Sequence, residues 1–92
     1  MTLATLRQTA TIRNQRGLHA RAAAKFVKVT AEFAAEVTVS KSGQSVSGRS
    51  IMGLMMLAAG PGSEIELVAE GMDAQAALDA ISALVDAKFD ED

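Results

Sequence analysis

The apolar pattern along this chain switches between a period of two and a period near 3.6. The order of those switches leaves few folds open. "RQTATIRN" alternates, with Ala10 and Ile12 on one face and Thr9, Thr11 and Arg13 on the other, as a half-buried strand does. From Ala20 to Ala34 the residues Ala23, Phe26, Val27 and Phe33 form one stripe, with Arg21, Lys25, Lys28 and Glu32 mostly off it. That spacing predicts an amphipathic helix. "EVTVSKSGQSVSG" reads as two short strands joined around Lys41, Ser42 and Gly43. Ser50 is a good cap for a short helix that "GPG" at 60–62 stops. Ile65, Leu67 and Ala69 alternate in a fourth strand. A last helix begins near Asp73, a candidate cap, and carries Ala74, Ala77, Leu78, Ile81, Leu84 and Val85 at helical spacing. The order strand, helix, strand, strand, helix, strand, helix predicts an α+β domain, an antiparallel or mixed sheet covered by helices on one face.

Ninety-two residues make one domain, 1–92, with room for a single core. There is no cysteine, which excludes a disulfide framework, a thiolate nucleophile and a thiolate metal site. No apolar run reaches the roughly 20 residues of a membrane span. "MTLATLRQTATIRN" lacks the apolar stretch of a leader, so a cytoplasmic protein is expected. Three phenylalanines are the only aromatics and the net charge is −2, which argues against nucleic acid as a partner.

Charge is unevenly spread. Residues 1–49 hold eight of the nine Lys and Arg, and residues 50–92 hold nine of the eleven Asp and Glu, ending in "FDED". Two readings are open. Either the halves meet and cancel, with a solvated acidic tail, or the basic half surrounds a site for an acidic partner or an anion.

The chain's only histidine, His19, stands in "NQRGLHARAAAK" between a glycine turn and the first helix, with Arg16 before it and Arg21 after it. The first amides of a helix have no partners inside it, and the dipole concentrates partial positive charge there. A helix start therefore stabilises an anion, and it disfavours a charged imidazolium. Arg21 would add a planar, permanently charged donor pair for phosphate oxygens. Gly17 lets the backbone turn, and the amide of Ala20 is part of the cradle. Together these suit a histidine that carries a phosphoryl group. A plain capping or solvent-facing histidine is the alternative. Hydrolase chemistry has no support, because no carboxylate lies close in sequence to orient the ring as a base. One imidazole without neighbouring ligands is not a metal site, and nothing calls for a cofactor.

"GLHAR" (17–21) followed by "AAAKFVK", and "RSIMGLMMLA" (49–58) further along, resemble the two motifs of the HPr family. These are the histidine-containing phosphocarriers of the bacterial phosphotransferase system. The resemblance extends over essentially the whole length and order of elements. It implies an open-faced β-sandwich, a four-stranded antiparallel sheet covered on one face by three helices in the order βαββαβα. It implies that Nδ1 of His19 accepts a phosphoryl group from Enzyme I, charged by phosphoenolpyruvate, and passes it to a IIA-type acceptor. Arg21 would help hold the phosphate, and Ser50 matches a serine that an HPr kinase phosphorylates in many bacteria. Such a protein is a monomeric relay rather than a stand-alone catalyst. One departure stands out: the family usually has proline after the arginine, and here that residue is Ala22. Alanine still permits the helix but leaves its start less fixed.

The helix after Ser50 is apolar all round. Leu54, Leu57 and Ala58 suit the core, while Ile51, Met52, Met55 and Met56 form a second apolar face. Methionines repack easily, which suits a docking surface, though core filling is their commoner use. By the resemblance this face joins the first helix, including Ala24 and Lys28, in binding partners. Lys25 and Lys28 would frame it with positive charge for acidic partners. Two rivals remain: a regulatory interaction module of the nitrogen-related phosphotransferase branch, and a small-ligand domain with a structural histidine.

Overall fold

The computed structural model describes residues 5–91; the chain's first four residues and Asp92, to which the expectations about a leader and the tail extend, lie outside them. Strands β1 (Thr5–Thr11), β2 (Glu36–Lys41), β3 (Gln44–Ser47) and β4 (Glu64–Glu70) form one sheet in the order β1-β4-β2-β3. β4 lies between β1 and β2 and is antiparallel to both, with Ala10 opposite Ile65 and Val37 opposite Ala69. β2 and β3 form a hairpin through Ser42 and Gly43, whose φ angles of 52° and 82° suit a two-residue turn that follows strand twist.

Strands β1 and β2 therefore run parallel with β4 between them, and β3 and β4 run parallel with β2 between them. Parallel strands need a crossover. Helix α1 (Ala20–Thr30) makes the first and α2 (Ile51–Met56) the second, and α3 (Ala74–Asp86) follows β4. The helices cover one face of the sheet. Val37, Val39, Ile65, Leu67 and Ala69 of the strands are buried there with Phe26, Leu54, Leu78 and Ile81 of the helices. Alternate strand residues on the other face are exposed. This is the antiparallel sandwich expected from the order of periods. The directions matter for function: α1 runs opposite to α2 and α3, so the ends of α2 and α3 arrive where α1 begins.

Four local expectations are corrected. The first helix stops at Thr30, not Ala34. Asp73, expected to cap α3 with its side chain, makes no side-chain bond to that helix; only its carbonyl accepts, from the Ala77 amide at 2.9 Å. Its carboxylate instead accepts from the amides of Ala34 and Ala35, both at 2.8 Å, and so fixes the turn into β2. Ala58, expected in the core, is exposed, because the chain leaves α2 there in a left-handed conformation (φ 53°) that swings its Cβ outward. The "FDED" tail is not simply solvated. Phe89 is fully buried in the core cluster, inside a short turn (Lys88–Asp90) whose three residues all have positive φ.

Replacing Asp73 with alanine removes two charge-assisted bonds to backbone amides. Chemical denaturation should show a loss of about 1–3 kcal/mol, whereas Gln75→Ala on the exposed side of α3 should change stability little.

Candidate functional site

The turn that delivers His19 depends on Gly17. Its φ is +65°, and a Cβ there would stand 2.2 Å from the Ala59 carbonyl oxygen and 2.9 Å from Gly60 Cα. Only glycine fits. The amide of Leu18 donates to Ala59 O (2.9 Å), tying the start of α1 to the exit of α2. Gly17's own amide donates to Asn14 O, so its contribution is the shape of the turn rather than a free donor for phosphate.

His19 is the N-cap of α1, with extended backbone, and its Nδ1 accepts from the Arg21 amide at 3.3 Å. The ring is neither packed away nor turned from the helix amides, and 16% of its side chain stays exposed. Its other nitrogen, Nε2, meets the Glu91 carboxylate. That partner lies 72 residues along the chain, and no local spacing in the sequence marks it.

Glu91 is itself held. Asn14, fully buried, donates from Nδ2 to Glu91 Oε1 (3.0 Å) and to Gly17 O (2.8 Å). The bond from Asn14 holds the Glu91 carboxyl below its ordinary value of 4.5; partial burial opposes this, and the His19 ring and the charge of Arg16 assist it. Lys25, expected to frame the docking face, is committed instead: its Nζ donates to Phe89 O at 2.7 Å.

Two clefts flank the ring. One, lined by Gln15, Arg16, Arg21, Lys25, Asp90 and Glu91, gathers three cations and two carboxylates at the start of α1. The anion expected among the basic residues is thus partly supplied by the chain's own acidic end. The other cleft is lined by His19, Arg16, Leu18, Met55 and Ala58–Gly60. The Arg21 side chain borders only the first, while Arg16, given no role from sequence, borders both. The amide that reaches the ring is that of Arg21; Ala20 is the first residue of α1, which starts there although the buried Ala22 stands where the resemblance implied proline.

Among the apolar residues of α2, Ile51 (40%), Met52 (72%), Met55 (41%) and Met56 (65%) are the exposed ones, while Leu54 and Leu57 are buried. Ala24 and Lys28 are exposed on α1. Ser50 caps α2, its Oγ accepting from the Gly53 amide at 2.9 Å. It sits at the far end of α2 from His19, because that helix runs toward the ring. No group of three or more metal-ligating side chains occurs among the described residues, and no helix there is long and apolar enough to cross a membrane.

Residues 6–87 match the PTS-HPr family, described as the PTS HPr component phosphorylation site. The chain belongs to the HPr family. It is 52% identical over 86 residues to the phosphocarrier protein NPr of Shewanella violacea, covering 94% of each chain. It is 46% identical over 86 residues to the phosphocarrier protein HPr of Cupriavidus necator, covering 94% of this chain and 97% of that one. The crystal structure of HPr from Thermoanaerobacter tengcongensis superposes with a TM-score of 0.90 at 39% identity, covering 95% of this HPr-family chain and 98% of the other.

The depressed Glu91 value gives a pH dependence with a definite sign. The ionised carboxylate favours the folded state above pH 4.5, the ordinary value, and that contribution is lost as pH falls through the lower folded value. Thermal melts between pH 3 and 6 should therefore fall more steeply with acid for the wild type than for Glu91→Gln. Parallel curves would mean that the carboxylate makes no such contribution.

Proposed function

We propose that this protein carries a phosphoryl group of the phosphotransferase system on Nδ1 of His19. It receives the group from Enzyme I, charged by phosphoenolpyruvate, and delivers it to a IIA-type acceptor in the cytoplasm, acting as a monomer. One observation carries the assignment: Nδ1 lies at the start of α1, within reach of the Arg21 amide. A phosphoryl group bound there would place its oxygens against amides with no partner inside the helix, at the positive end of the helix dipole. Arg21 would swing its guanidinium onto the same oxygens from the neighbouring cleft. Ile51, Met52, Met55 and Met56, with Ala24 and Lys28, would form the docking face, which Met55 extends to the edge of the histidine. Ser50 is our candidate for regulatory phosphorylation by an HPr kinase. Phosphate there would retain oxygens to accept from α2's first amides while changing the charge of the docking face.

A second reading keeps the chemistry and changes the recipient: a regulatory module of the nitrogen-related branch. The names of the relatives divide on this point, with 52% identity to one called NPr and 46% to one called HPr. Transfer assays against IIA acceptors of the two branches distinguish them.

Incubation with Enzyme I and labelled phosphoenolpyruvate should give an acid-labile, base-stable label that His19→Ala abolishes. A wild type that takes up no label under conditions where a standard HPr does would overturn the carrier reading. Arg21→Ala should slow transfer by about tenfold, a charge-assisted contact's worth, because the backbone amide at that position survives.

A further inference from the structure

We infer that Glu91 is a positioning residue for phosphoryl transfer at His19, selecting the ring tautomer that presents a lone pair on Nδ1 and matching the charge the ring acquires. The inference rests on the carrier reading above. Its starting point is that two unrelated contacts on one imidazole demand the same proton position. The Arg21 amide is a donor, so Nδ1 must offer a lone pair to it. The Glu91 carboxylate is an acceptor, so Nε2 must carry the hydrogen. Either contact alone would bias the ring, and together they leave one neutral tautomer.

The clasp is built rather than incidental. Lys88, Phe89 and Asp90 take φ values of 57°, 54° and 61°, left-handed backbone that non-glycine residues disfavour. That turn is held by the fully buried Phe89 ring and by Lys25 on the Phe89 carbonyl. Asn14 Nδ2 donates to both Gly17 O and Glu91 Oε1, and its buried Oδ1 has no partner among the described residues. A left-handed turn and a buried amide with an unpartnered oxygen, two features that run against local preference, thus converge on one carboxylate against one ring nitrogen.

The transfer step shows what such a carboxylate does. The Nδ1 lone pair forms the bond to phosphorus, and the phosphorus–donor bond breaks with its electron pair leaving on the donor. The proton stays on Nε2, so the ring becomes positively charged. Arg16, Arg21 and Lys25 all face this region and oppose that charge, while Asp90 and Glu91 favour it. Of the two carboxylates, Glu91 is the one in contact with the ring. In delivery the nitrogen–phosphorus pair returns to Nδ1 and the charge disappears. A carboxylate that orients a histidine and stabilises its cationic form plays the same part in hydrolytic triads.

Glu91→Gln keeps the shape and removes the charge, and Glu91→Asp keeps the charge on a shorter arm. Single-turnover transfer from phosphorylated Enzyme I should slow about ten- to hundredfold in Glu91→Gln, with KM for the carrier within about twofold and partial recovery in Glu91→Asp. Nitrogen-15 spectra of the His19 ring should show the Nε2–H tautomer in the wild type and a mixture in Glu91→Gln. Wild-type transfer and an unchanged ring spectrum in Glu91→Gln, with His19→Ala still unlabelled, would overturn this inference and leave the carrier reading standing. The same holds if Glu91→Gln melts at lower temperature but transfers normally, since Glu91 is then structural only. Absence of label in the wild type would remove both.

Discussion

The placement of β4 between β1 and β2 governs the rest of the structure. With β4 antiparallel to both, β1 and β2 must run the same way, and the chain must cross the sheet through a helix to join them. The same logic sends α2 across from β3 to β4. Once those crossovers lie on one face, helix directions are no longer free, and the start of α1 meets the ends of α2 and α3. The histidine turn, the Ala58–Gly60 turn and the Lys88–Asp90 turn are neighbours for that reason. A site made from residues 14–21, 55–60 and 88–91 follows from strand order rather than from any local signal.

Two electrostatic demands act on His19, and they fall on different atoms. The dipole of α1 and the cations around it favour negative charge at the helix start, on the Nδ1 side. Glu91 satisfies part of that demand from the Nε2 side, without occupying the place where Nδ1 would hold a phosphoryl group. A carboxylate on Nδ1 would compete with the phosphoryl group for the same amides. On Nε2 it leaves the Arg21 amide free to exchange one acceptor, the ring nitrogen, for another.

How much of this was legible depended on sequence distance. The alternation of Ala10 with Ile12 and of Ile65 with Leu67, and the stripe through Ala23 and Phe26, gave the elements, because each pattern is local and each face is buried. The histidine turn was legible because glycine, histidine and helix start are contiguous. Apart from Ala58 and the end of α1, the missed features involve partners far apart in sequence. Asp73 looks like a helix cap because its side chain suits that role, and only the fold brings the Ala34 and Ala35 amides to it. "FDED" reads as a solvated run because its charges outnumber its one aromatic ring. The core claims Phe89, and the carboxylate two residues on is carried to the ring. Ala58 fails differently: helical periodicity put it beside Leu54, but the helix had already ended.

In the proposed relay the two sides of the histidine would have different tasks. The segment 88–91 covers the ring from the side of Arg21 and Lys25, while the side toward Met55 and the Ala58–Gly60 turn stays open. A partner seated on Met52, Met55 and Met56 would thus approach His19 without displacing Glu91. Lys25, tied to the Phe89 carbonyl, is withdrawn from partner recognition, and Lys28 with Arg16 remains to meet acidic surfaces. Orienting the ring and docking the partner therefore draw on separate residues. In the proposed relay the carboxylate could stay on Nε2 through both receipt and delivery, while successive partners would use one apolar face.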